Sequence, residues 1–88
     1  MRGVIKTYRE DGSLYKRTCY RFGKPAGTWK YYDPSGEVLE LGKYKKGLKS
    51  GIWTAYYSNS KINSRGNYVQ SEREGLWHFY FESGELSA

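Results

Sequence analysis

The chain has 88 residues, fifteen Lys and Arg against nine Asp and Glu, and ten Tyr, three Trp and three Phe. That length provides one small domain without room for a large closed core, and Cys19, the single cysteine, excludes an intrachain disulfide. No apolar run approaches the roughly 18 residues of a transmembrane helix and no apolar signal region opens the chain, so a soluble cytoplasmic protein is expected, with its net charge of +6 favouring acidic partners.

The predicted elements repeat. Gly3-Val-Ile5-Lys-Thr-Tyr8 opens the chain as a short strand, and Glu10-Asp11-Gly12 supplies a turn before a second strand that carries Leu14, Thr18 and Tyr20. After Gly23 the series restarts with Gly27-Thr-Trp29-Lys-Tyr-Tyr32, turns at Asp33-Pro34-Ser35-Gly36, and runs back from Glu37 to Lys46. Gly51-Ile-Trp53-Thr-Ala-Tyr56 and Gly75-Leu-Trp77-His-Phe-Tyr80 follow at the same 24-residue step. Gly12, Gly36, Ser60 and Gly84 form one column; Leu14, Val38, Ile62 and Leu86 the next; then come Thr18, Gly42 and Gly66, and Tyr20, Tyr44 and Tyr68. Such self-similarity marks a repeat architecture. The units are residues 3–26, 27–50, 51–74 and a partial 75–88.

Each unit reads as a β-hairpin. Pro and Gly provide the turns, the aromatic and Thr-rich runs favour strands, and no window carries helical periodicity. The fold class is therefore all-β: a single-layer antiparallel meander of tandem 24-residue hairpins, about eight strands, roughly 34 Å across at strand spacing. Four-residue loops at Asp33–Gly36 and Gly47–Ser50 would pair Tyr32 with Glu37, Trp29 with Glu40, Gly27 with Gly42 and Tyr44 with Trp53. Strand alternation then collects Trp29, Trp53, Trp77, Tyr20, Tyr44 and Tyr68 on one face, where they serve as the core and offer a partner an aromatic surface. The Tyr8, Tyr32, Tyr56 and Tyr80 column falls near the hairpin turns.

Charge is graded along the array. Residues 1–26 carry seven basic and two acidic side chains, and residues 75–88 carry two acidic and no basic ones. Lys16, Arg17, Arg21, Lys24, Lys45 and Lys46 are the basic candidates for partner binding. Catalysis needs a placed acid, base or nucleophile. The one histidine, His78, lies away from Trp77, and Cys19 occupies a column shared with Lys43 and Asn67, so both read as surface residues; no metal, cofactor or enzymatic activity is expected.

The Gly-x-Trp-x-x-Tyr, x-x-x-Gly-x-aliphatic, Gly-x-Tyr series resembles the MORN-repeat variant found in tandem in bacterial proteins of the YwqK antitoxin type. Ile5 for Trp, and Ser60 and Ser71 for Gly, are the departures. The resemblance implies a hairpin array that binds a protein partner, antitoxin-like or as an inhibitor or scaffold. Basic residues interleaved with aromatics admit nucleic acid or anionic lipid as the alternative, and the sheet edges admit self-association.

Overall fold

The computed structural model describes residues 2–88. Eight strands form one antiparallel sheet: β1 (Arg2–Tyr8), β2 (Leu14–Arg21), β3 (Lys24–Pro25), β4 (Gly27–Tyr32), β5 (Val38–Lys45), β6 (Leu48–Tyr56), β7 (Ile62–Val69) and β8 (Glu72–Phe79). Their order is β1-β2-β4-β5-β6-β7-β8, with the two-residue β3 beside β2. Residues beyond β8 add only the bridge Tyr80↔Leu86. No helix long and apolar enough to cross a membrane occurs among the described residues. The extents of 41 × 35 × 12 Å leave no depth for a second layer, since stacked sheets stand about 10 Å apart before their outer side chains are added.

One turn recurs four times. The N–H groups of Arg9, Asp33, Tyr57 and Phe81 each donate to the carbonyl four residues on, at 2.8 Å. Those of Gly12, Gly36, Ser60 and Gly84 donate back to the carbonyl three residues earlier. The closing residue is left-handed each time, with φ of 88°, 95°, 68° and 96°. This is the three-residue hairpin loop in which a type I turn ends on a left-handed position, and it explains why glycine dominates that column; Ser60 adopts the same angle at a steric cost.

The other turns have two residues. Arg21 opposes Lys24, Lys45 opposes Leu48, and Val69 opposes Glu72. Both central residues have positive φ: Phe22 52° and Gly23 76°, Lys46 51° and Gly47 85°, Gln70 50° and Ser71 67°. That is the type I′ signature, whose twist matches the flanking strands.

These turns correct the expected register. Trp29 faces Gly42, not Glu40, and Gly27 faces Tyr44, not Gly42. Tyr32 pairs with Val38 rather than Glu37. The loop is one residue shorter than the expected four, and a bulge at Leu39, between the pairs Tyr31↔Glu40 and Tyr32↔Val38, adds one more residue of shift. Likewise Tyr44 faces Lys49 rather than Trp53. Here the two-residue turn is followed by a break in which Gly51, Ile52 and Trp53 stand across from Gly42 alone, between the pairs Lys43↔Ser50 and Leu41↔Thr54. Each slip is even in sum. Alternation therefore leaves the tryptophans and the tyrosine column on the expected common face. The turn-proximal tyrosines acquire partners too: Tyr8, Tyr32, Tyr56 and Tyr80 oppose Leu14, Val38, Ile62 and Leu86.

Candidate functional site

The Gly-x-Trp motif is a device for laying an indole flat. Gly27, Gly51 and Gly75 have φ of 69°, 76° and 70°, a left-handed setting that bulges the strand. The tryptophan two residues on then crosses the neighbouring strand. A Cβ built on Gly42 would lie 1.9–2.4 Å from Trp53 ring atoms, and one on Gly66 2.0–2.4 Å from Trp77. The indole Nε1–H donates to a carbonyl ten residues back every time: Trp29 to Cys19 at 3.0 Å, Trp53 to Lys43 at 3.0 Å, Trp77 to Asn67 at 3.1 Å.

The rings form one unbroken line. Centroids step from Tyr20 to Trp29 (5.6 Å), Tyr44 (4.6 Å), Trp53 (5.3 Å), Tyr68 (6.2 Å) and Trp77 (5.0 Å). Most of these contacts are edge-to-face, the arrangement that ring quadrupoles prefer. Trp29 and Trp53 keep only 7% and 3% of their surface exposed, so they are the core. Tyr20, Tyr44, Tyr68 and Trp77 are half-buried and present the remaining ring surface to solvent. Cations close over this line: Lys49 Nζ lies 4.7 Å from the Trp53 ring and 4.9 Å from Tyr68, and the Arg73 guanidinium 4.7 Å from Trp77. Burial raises the hydroxyl pKa of Tyr44, with the Glu40 charge adding to it.

At the type I′ edge a cleft of about 620 Å³ opens between the first and second repeats. Arg21, Lys24, Lys45 and Lys46 rim it, and Phe22 and Tyr44 give it apolar and aromatic wall. Phe22 is 76% exposed, with the Arg21 guanidinium 5.4 Å from its ring. The Gly47 N–H donates to Pro25 O at 2.9 Å, which ties the second turn to the first and sets the cleft width. A smaller depression of about 330 Å³ continues along the edge past Lys45, Lys46 and Lys49.

Four of the six basic candidates thus meet in one place. Lys16 and Arg17 do not join them. Both sit mid-strand in β2, Lys16 opposite Tyr31 and Arg17 opposite Lys30, and Lys16 Nζ lies 5.7 Å from the Tyr15 ring. His78 is exposed and opposes Arg65. Cys19 is a half-buried free thiol whose backbone carbonyl receives the Trp29 indole. Sequence reasoning missed Phe22 and Lys49. The 24-residue alignment contained the signal for Phe22, which holds the turn position of Lys46 and Gln70 with an aromatic ring where the others are hydrophilic.

Comparison with known families places this geometry. The description "MORN repeat variant" matches residues 26–46 and 49–70. These two hairpins match that repeat family. The first match spans β4 and β5 and the second β6 and β7, so each matched unit is one strand pair closed by a three-residue turn, with the type I′ turns linking units. β1–β2 and β8 lie outside the matched residues yet keep the same turn bonds at Arg9 and Phe81 and, at Trp77, the same indole bond. No curated protein and no solved structure matches the chain.

Proposed function

We propose that the protein is a non-catalytic binding module that holds an acidic protein segment in the cleft at the type I′ edge, acting on its partner as an antitoxin or inhibitor does. One observation carries this reading: Arg21, Lys24, Lys45 and Lys46 surround the exposed Phe22 and the Tyr44 ring, and no acidic side chain lines the cleft. Clustered cations speed encounter with an acidic surface and select against basic ones. Aromatic side chains, Phe among them, and Arg are enriched at protein interfaces. The MORN hairpins serve as the rigid support, since the indoles that hold them together are themselves buried.

The test is site-specific photo-crosslinking in lysate from a benzophenone side chain at position 22, with position 35 on the opposite edge as control. An acidic protein should be captured at position 22 alone. Phe22→Ala, and separately Lys45→Glu with Lys46→Glu, should reduce capture about tenfold or more, the scale of losing one or two anchor residues. Capture that ignores the charge reversal would defeat the proposal.

A further inference from the structure

The face opposite the tryptophans carries a second basic feature, and it is linear. Reading directly opposed residues from strand to strand gives Lys6↔Arg17, Arg17↔Lys30, Lys30↔Leu41, Leu41↔Thr54, Thr54↔Arg65 and Arg65↔His78. Opposed residues share a face. The row therefore crosses all seven strands of the main path, over roughly 29 Å at strand spacing. Five of its seven members are Lys, Arg or His, and none is acidic. Lys6, Arg17 and Lys30 stand side by side, an arrangement that costs stability because like charges directly opposite repel.

The middle of the row is concave. A depression of about 460 Å³ lies there, with Lys30, Lys43 and Arg65 around it and Thr28, Leu41 and Thr54 among its walls. Lys43 joins from the adjacent row, so the gap in charge at Leu41 and Thr54 is covered from the side. Beside the row the charge is mixed: Lys43 and Lys45 follow Leu41 at alternate positions along β5, and Glu74 stands opposite Asn67, two residues on from Arg65, so the row itself is the line of like charge. A bilayer surface presents negative charge in a plane and an acidic protein presents it in patches. A chain of phosphodiesters presents it in a line. Exposed Val4 and Ile52, at 52% and 49%, flank the row with apolar surface for bases.

We infer that this face binds the backbone of single-stranded nucleic acid, running across the strands from Lys6 to Arg65. Five cations, Lys6, Arg17, Lys30, Lys43 and Arg65, supply the phosphate contacts. The row suits the lower end of single-strand site sizes, roughly 4 nucleotides.

Fluorescence anisotropy of the whole chain with a labelled oligothymidylate of about 12 nucleotides, long enough to span such a site, tests it. Each phosphate contact contributes about −0.7 to the slope of log affinity against log salt, so five predict about −3.5 and a roughly 100-fold loss between about 50 and 200 mM salt. Replacing Lys30, Lys43 and Arg65 by Gln together should cut the slope to about −1.4 and weaken binding at the lower salt at least about tenfold. Lys49→Gln with Arg73→Gln, over the aromatic line on the other face, should change affinity less than about threefold. If the triple variant loses its folded tryptophan fluorescence, Arg65→Gln alone at this exposed position must lower the slope by about 0.7. The inference is overturned by no binding at about 50 mM salt, by equal losses in the two sets of variants, by polyglutamate competing as well as the oligonucleotide per unit charge, or by binding to phosphatidylserine-containing vesicles without binding to the oligonucleotide.

Discussion

Gly42 shows how much of this fold rests on the absence of a side chain. The Trp53 ring occupies the space in which a Cβ would stand, and the same ring is 3% exposed, with its Nε1–H bonded to the next carbonyl along. Adding one methyl group must therefore lift the indole off the strand and toward solvent. Gly42→Ala should destabilise the protein by about 1–3 kcal/mol, the usual cost of overpacking, and shift tryptophan emission to the red as Trp53 gains water; thermal melts followed by fluorescence would show both. Thr18 makes the comparison within the molecule. It holds the glycine column in the first repeat, is 1% exposed and donates its hydroxyl to Ile5 O at 3.4 Å. The strand facing it is the one broken at Ala26 into β3 and β4, where Pro25 also withholds a backbone donor.

Hairpin turns are where side-chain chemistry enters at the level of the element. Asp33 Oδ1 accepts from Ser35 N at 2.9 Å, Ser35 Oγ at 2.6 Å and Glu37 N at 3.0 Å. These bonds hold the Asp33 carboxyl below its usual pKa, the Ser35 hydroxyl contributing most; Asp11, bonded to Ser13, shifts the same way. A carboxylate whose folded pKa is depressed adds stability above its unfolded value, about 3.9, and that stability is lost as pH falls through the folded value. Asp33→Asn should accordingly melt below the native protein at neutral pH, with the gap closing as the pH drops under about 4; melting temperatures measured along a pH series would check this.

The turns are also where the sequence was hardest to read. Three Gly-x-Trp motifs at a constant step, with matched Gly and Tyr columns, leave little freedom in the fold, and they put the aromatic line on one face correctly. Asp33-Pro34-Ser35-Gly36 reads equally as a four-residue loop or as a type I turn closed by a left-handed glycine, and only the backbone distinguishes them. Phe22, Lys46 and Gln70 hold the first central position of type I′ turns, where Asn, Asp or Gly is usual, and only Gly23 and Gly47 supply the expected residue at the second. The bulge at Leu39 has no composition of its own, whereas Gly51 marks its bulge as a glycine inside a strand. For the cleft, the charges were legible because Arg21 and Lys45 are one repeat apart. Its shape was not, because it depends on how far each type I′ turn curls over its neighbour.

For the molecule as a whole, a sheet 12 Å thick has no sequestered interior and must stabilise itself sideways, repeat against repeat. Protection from hydrogen exchange should follow the same geometry. Amides of β5, β6 and β7, each paired on both sides and adjoining the buried Trp29 and Trp53, should exchange slowest, and those of β1 and β8 fastest by about tenfold or more, as expected where local opening costs less than global unfolding. Exchange followed by mass spectrometry would resolve this; uniform protection would mean that the array opens only as one unit.

The indole bonds give the chain a direction. Each tryptophan leans toward the amino-terminal side and takes its acceptor from the strand already laid down. Shortening the protein is therefore not symmetrical. Removing residues from the carboxyl-terminal side leaves every surviving ring with its carbonyl, whereas trimming β2 from the other side strands the Trp29 donor without its partner. A ribosome, which releases the amino-terminal hairpin first, delivers each acceptor before the ring that needs it.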